Sequence, residues 1–236
     1  MILKITKYDP SVNSVPKIIS VNIDWKENMT VLEAIQFAHE KTPIAFDYNC
    51  RGRQCGRCAI MFDGKPVMAC CTFIKADGTH TVEPLKGHPV LRDLIVYKRD
   101  AHDELSTIYN RIKDPAVGDL TDMQVLNDNY NTTAIEEIDA IEWCSRCLSC
   151  TAGCPAYNNN PSTYIGPAAM LAIAYRYYDP YDAGDRVRQA YNGGLWNCIM
   201  CGQCDYICPQ LEIKRVPKIW KDLRKAATDA GLGEKH

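Results

Sequence analysis

Cys144-Ser-Arg-Cys147-Leu-Ser-Cys150-Thr-Ala-Gly-Cys154-Pro155 and Cys198-Ile-Met-Cys201-Gly-Gln-Cys204-Asp-Tyr-Ile-Cys208-Pro209 obey one rule, C-x2-C-x2-C-x3-C-P. Two complete copies of one spacing are not scattered core cysteines. In chains that carry two cuboidal iron–sulfur clusters, three cysteines of each run wrap one cluster and the fourth ligates the cluster of the other run. The expected ligand sets are therefore Cys144, Cys147, Cys150 and Cys208 for one 4Fe–4S cluster, and Cys154, Cys198, Cys201 and Cys204 for a second. Cross-ligation of this kind ties the loops together and brings the two clusters near one another.

Upstream, Cys50, Cys55 and Cys58 are spaced C-x4-C-x2-C, and Cys70 follows at a distance. This is the plant-type 2Fe–2S arrangement, one compact loop plus one remote cysteine. Gly52 and Gly56 give the loop the freedom to turn its backbone N–H groups toward sulfur. Arg51, Arg53 and Arg57 add positive charge beside an anionic cluster, which favours its reduced form. The alternatives are a zinc site or a set of buried thiols, but structural zinc sites usually pair separate C-x2-C units. Cys71 adjoins Cys70; in an extended segment its side chain points the other way, as a buried free thiol would.

The rest of the chain agrees with a soluble metalloprotein. Thirteen cysteines is an odd count, and the start, MILKITKYDP, lacks the basic and apolar segments of an export signal, so a disulfide framework is not expected. A net charge of −2 excludes the basic surface of a nucleic-acid binder. The longest apolar stretch, Ala168 to Tyr175, is far short of a membrane span.

Leu3–Tyr8 and Ile18–Ile23 alternate apolar and polar residues and predict a hairpin. Cys58–Phe62, the Asp63-Gly64 turn and Pro66–Ala69 predict another. Thr30 and Glu33 form a capping box for a helix with Leu32, Ile35, Phe37 and Ala38 on one face. Further helices are predicted over Glu136–Trp143, Ile165–Tyr178, Arg186–Tyr191 and Val216–Ala227. The expected fold is α+β: a β-grasp 2Fe–2S domain over residues 1–105 and a helical two-cluster domain over 106–236.

This combination resembles the iron–sulfur subunit of the succinate dehydrogenase/fumarate reductase family. Beyond the cysteine runs, the resemblance rests on Lys7-Tyr8-Asp9-Pro10, Arg92-Asp93-Leu94, Asn160-Pro161, Ile165–Ala169, Arg176-Tyr177 and Gly194–Cys198, the last segments being most like bacterial fumarate reductases. It implies an FAD-containing flavoprotein partner that interconverts fumarate and succinate, with the 2Fe–2S cluster facing the flavin. It implies also that electrons reach a quinone held with membrane-anchor subunits, and that this chain carries no catalytic acid, base or nucleophile. The expected location is the cytoplasm, with a peripheral seat on the inner face of the cell membrane as an alternative.

The sequence departs from that family twice. The usual third cluster is 3Fe–4S, because the second position of the last run is not cysteine; here it is Cys201, which permits 4Fe–4S. The tryptophan and histidine of quinone-linked members fall on Asn159 and Ile199, leaving Pro155, Lys218 and Lys221 as the candidate quinone-proximal residues. An alternative is therefore a related flavoprotein reductase acting on another unsaturated acid with a soluble electron donor. A free-standing polyferredoxin or redox-sensing module is a further reading. A thiol-coupled fumarate reductase subunit is not expected, since the residues after Cys208 leave no room for a second cysteine-rich domain.

Overall fold

The computed structural model describes residues 1–113, 115, 135–210 and 216–234. Its first layer is a five-stranded sheet of β1 (Ile2–Lys7), β2 (Lys17–Asn22), β3 (Ala59–Phe62), β4 (Lys65–Met68) and β5 (Thr79–Glu83), in the order β2-β1-β5-β3-β4. The two hairpins expected from the sequence are β1–β2, with Ile5 opposite Ile19, and β3–β4. Strand β5 joins them, parallel to β1 and antiparallel to β3. Leu3, Ile5, Val21, Met61, Met68 and Val82 point from the sheet into a core closed by α1 (Val31–Lys41), which contributes Val31, Leu32, Ala34, Ile35 and Ala38. Phe37, expected on that buried face, is 38% exposed. The capping box forms: Thr30 Oγ1 accepts from the Glu33 N–H at 3.2 Å, and the Glu33 carboxylate accepts from the Thr30 N–H at 2.7 Å. Such a cap is worth roughly 1 kcal/mol.

A short antiparallel pair, β6 (Val90–Arg92) and β7 (Ile95–Val96), leads into α2 (Arg99–Tyr109). Residue 105, the boundary expected from the sequence, lies inside this helix. Leu105 and Ile108 are buried, and α2 packs against α6 (Gly166–Tyr178), with Tyr109 edge-on to Tyr175. Helix α6 is buried from Gly166 through Ala174, so it is the hub of the helical layer rather than a surface helix. Around it lie α3 (Ile135–Glu142), α4 (Ser149–Ala152), α5 (Pro155–Asn159), α7 (Arg186–Asn192), a 3-10 turn at Leu195–Asn197, α8 (Gln203–Ile207) and α9 (Val216–Asp229). Asp179 and Arg186 are buried; Asp179 pairs with Arg111 at 2.8 Å and Arg176 at 2.6 Å, pinning the chain after α2 to the end of α6.

Candidate functional site

The 2Fe–2S-type loop sits beyond α1, before β3. Arg51, Arg53 and Gly56 all have left-handed backbone conformations, with φ of 53°, 68° and 66°. Two non-glycine residues in that region mark a loop over-determined by its surroundings. The turn lets the N–H groups of Gly52 and Cys55 donate to Cys50 Sγ, each at 3.3 Å. Those bonds, the Gly52 one foremost, lower the Cys50 thiol to about 7. Cys50 is exposed, Cys58 is buried, and Cys55 and Cys70 are half-buried. Burial pushes the Cys58 thiol up to about 12.

The arginines have separate tasks. Arg57 Nε is paired with Asp47 at 3.0 Å, so its charge is largely met locally. The Arg51 guanidinium lies 5.1 Å from the Tyr48 ring centre, and Arg53 Nη1 donates to Pro209 O at 3.2 Å. Cys71 corrects one expectation: it lies in a turn, not an extended segment, and its half-buried Sγ reaches Met68 O at 3.5 Å. Burial and Cys70 raise its thiol to about 11, so it stays protonated.

In the helical layer the two cysteine runs adopt the same backbone. Residues on either side of Cys147 are left-handed, Arg146 at 52° and Leu148 at 68°; those flanking Cys201 repeat this, Met200 at 56° and Gly202 at 74°. A short helix follows each, α4 or α8, and the two helices pack on one another. Between them lie two hollows. The first is walled by Cys144, Cys147, Cys150, Cys204 and Cys208, with Pro167, Leu171 and Trp220. The second is walled by Cys154, Cys198, Cys201 and Cys204, with Tyr164, Pro167, Pro217 and Trp220. Each hollow thus draws thiols from both runs, and Cys204 borders both.

These walls suit cuboidal clusters in donor chemistry. Among the described residues, no group of three or more His, Cys, Asp or Glu side chains is gathered closely enough for a single metal ion. The thiols instead stand around the walls of the two hollows. Burial raises the thiols of Cys144, Cys150 and Cys154, and lifts Cys204 and Cys208 to about 12. Iron therefore has to displace protons when it binds here. The buried Tyr164 hydroxyl and Trp220 Nε1, both on residues of the walls, have no hydrogen-bond partner among the described residues.

The first hollow lies against the 2Fe–2S-type loop. A Cβ on Gly56 would collide with Ser145 O and lie 2.9 Å from Cys147 N, so only glycine allows this backbone contact. Gln210, buried, returns a hydrogen bond from Nε2 to Arg53 O at 2.7 Å. The far end is open: Cys201 is exposed, and Ile199 beside it is 64% exposed. None of Pro155, Lys218 and Lys221 lines the second hollow; Lys218 Nζ is engaged by Glu137 at 2.9 Å and Asp222 at 2.8 Å. Among the described residues no helix is long and apolar enough to cross a membrane.

Sequence reasoning missed Gln210, Tyr164 and Trp220 as parts of this site. Only the nearness of Gln210 to Cys208-Pro209 offered a signal.

Residues 2–103 match the family described as a 2Fe-2S iron-sulfur cluster binding domain, and residues 140–211 match a 4Fe-4S dicluster domain. The chain is 30% identical to a fumarate reductase (CoM/CoB) subunit of Methanothermobacter marburgensis, over 98% of this chain and 45% of that protein. It is also 30% identical to the fumarate reductase iron-sulfur subunit of Mycobacterium tuberculosis, over 89% of this chain and 86% of that one. The chain spans less than half the length of the first relatives it matches, 40% to 45%. A chain of the Mycobacterium smegmatis Sdh1 complex in the apo form shares the fold, with a TM-score of 0.82 at 20% identity, covering 97% of this chain and 95% of that one. With the fold, both cluster-domain matches and near-full-length identity to a relative of similar size in agreement, the chain belongs to the family of fumarate reductase/succinate dehydrogenase iron–sulfur subunits.

Proposed function

We propose that this chain is the electron-transfer subunit of a fumarate reductase/succinate dehydrogenase-like complex. On this reading Cys50, Cys55, Cys58 and Cys70 hold a 2Fe–2S cluster. Cys144, Cys147, Cys150 and Cys208 hold one 4Fe–4S cluster, and Cys154, Cys198, Cys201 and Cys204 a second. Such clusters supply one-electron uptake and release. Conversion of fumarate and succinate belongs to the FAD of a partner flavoprotein.

The observation that carries this reading is the pair of hollows, each walled by cysteines of both runs. Assignment of Cys201 as a ligand is supported by its backbone, which copies that of Cys147 on both flanks. The exposed Cys50 loop is the face for the flavoprotein. The exposed Ile199–Cys201 end is the face for the electron donor or acceptor, a quinone held by membrane-anchor subunits. That arrangement seats the chain peripherally on the inner face of the cell membrane. The division near residue 105 then separates two cofactor types, while α2 carries the packing across it.

A second reading replaces the quinone with a soluble donor and fumarate with another unsaturated acid. It is favoured by Lys218, whose ammonium is held by two carboxylates, and by Asn159 and Ile199 at the positions of the quinone-proximal pair. The name of the M. marburgensis relative, fumarate reductase (CoM/CoB), favours a donor other than a quinone.

Anaerobic purification with the flavoprotein partner tests the proposal. Iron analysis should give about ten irons per chain, the sum over one 2Fe–2S and two 4Fe–4S clusters. A full-occupancy 3Fe–4S EPR signal in the oxidised protein would remove Cys201 from the ligand set. A flavinated complex that neither reduces fumarate nor oxidises succinate, with a dye as electron carrier, would overturn the assigned reaction.

A further inference from the structure

The second hollow has two hydrogen-bond donors in its wall for which the described residues supply no acceptor. Tyr164 and Trp220 are each 1% exposed, and among the described residues neither the Tyr164 hydroxyl nor Trp220 Nε1 has a partner. Burial pushes the Tyr164 hydroxyl well above the usual tyrosine range, and the neighbouring Trp220 indole lies outside hydrogen-bonding geometry with it. Buried donors are satisfied in the great majority of proteins, because taking one from water without an acceptor costs free energy. Two such groups on one cavity wall mark an acceptor that belongs in the cavity.

Both side chains are held there by the backbone around Cys198. The N–H of Ile165 donates to Gly193 O at 3.0 Å, and Asn197 Nδ2 donates to Thr163 O at 2.6 Å, so Tyr164 is clamped on both flanks to the segment entering Cys198. Gly194, at φ 81°, lets that segment approach: a Cβ there would meet Thr163 O. Trp220 is carried by α9, and Arg224 one turn later donates to the carbonyls of Leu195 and Cys198 while stacking 5.0 Å from the Trp196 ring centre. Neither side chain is free to turn toward water.

We propose that Tyr164 and Trp220 are positioning residues that donate hydrogen bonds to sulfur of the cluster held by Cys154, Cys198, Cys201 and Cys204, and thereby set its reduction potential. The inference rests on the cluster assignment made above. Sulfur on a cluster, whether bridging sulfide or cysteine thiolate, accepts hydrogen bonds, and it accepts them more strongly once an added electron has increased the negative charge. Donors therefore stabilise the reduced state and raise the potential. Trp220, which borders both hollows, extends this to the wall they share.

Tyr164→Phe removes one O–H and keeps the ring that fills the core. In the cluster-loaded chain it should lower the midpoint potential of this centre in an EPR-monitored redox titration, with iron content and the 2Fe–2S potential unchanged. Trp220→Phe should also lower it. In the unaltered protein exchanged into deuterium oxide, pulsed EPR should detect exchangeable deuterons coupled to this centre, and Tyr164→Phe should remove one of those couplings while leaving that of Trp220. This second measurement decides the matter if the variant loses its cluster. Full clusters with an unmoved potential, or no exchangeable deuteron in the unaltered protein, would overturn this proposal alone. Absence of cuboidal clusters from the unaltered protein would overturn it together with the proposed function.

Discussion

Asp93 shows how much one side chain organises in the sheet domain. Its buried carboxylate accepts from the N–H groups of Tyr8 at 2.9 Å and Ala45 at 2.8 Å, and meets Lys7 Nζ at 3.2 Å. It therefore joins the end of β1, the segment leading to the 2Fe–2S-type loop, and the turn between β6 and β7. Asp93→Ala would strand two N–H donors, and we expect it to cost about 3 kcal/mol in denaturant unfolding followed by circular dichroism. Asp93→Asn keeps one acceptor oxygen and should cost less. The sequence marks Arg92-Asp93-Leu94 as part of a family pattern, but not what the carboxylate does, because its partners lie far away along the chain. Tyr164 was less legible still. Nothing local distinguishes a tyrosine on a cavity wall from any other core tyrosine.

Among the elements, those defined by neighbours in sequence were legible and those defined by distant pairing were not. Both hairpins, the capped helix α1 and helices α3, α6, α7 and α9 follow from alternation, turn residues and periodicity. Strand β5, Thr-His-Thr-Val-Glu, carries no strong local pattern, and its identity comes from lying parallel to β1. Helix α2 has only Leu105 and Ile108 buried in a charged sequence, and becomes a helix against α6. The cysteine spacings give expected ligand sets; the first hollow gathers Cys144, Cys147, Cys150 and Cys208 with Cys204 besides, and the second Cys154, Cys198, Cys201 and Cys204. The spacings did not foretell the contact between loops at Gly56. Gly56→Ala drives a Cβ into Ser145 O at a residue whose φ is already 66°. We expect roughly 2 kcal/mol of destabilisation from the left-handed strain alone. Calorimetry should show the lower melting temperature, and EPR a weaker spin coupling between the 2Fe–2S and first cuboidal centres as the loops part.

At the scale of the whole molecule, stability is expected to fall in acid through one buried histidine whose charged neighbours include α2's His102. His88, in the connection from β5 to β6, has its imidazole pKa lowered to about 4, chiefly by burial and then by Lys98 and His102. His102 belongs to α2, and its Nε2 lies 3.1 Å from Arg146 O in the first cysteine run. An unfolded histidine takes its proton near pH 6.5, whereas folded His88 resists until about 4. Between those values the unfolded chain binds more protons, so stability falls as pH falls through this window. His88→Gln should flatten that loss, read as a smaller drop in melting temperature between pH 7 and about pH 5. An equal drop in both proteins would place the acid sensitivity elsewhere. The sharing of thiols between the two runs has a consequence for biosynthesis. A nascent chain that has emerged only as far as Cys154 owns part of each hollow's wall and the whole of neither. On the proposed ligand sets the second centre has all its thiols at Cys204 and the first only at Cys208, so a chain cut short before Cys198 keeps three ligands of one centre and one of the other, and finishes neither.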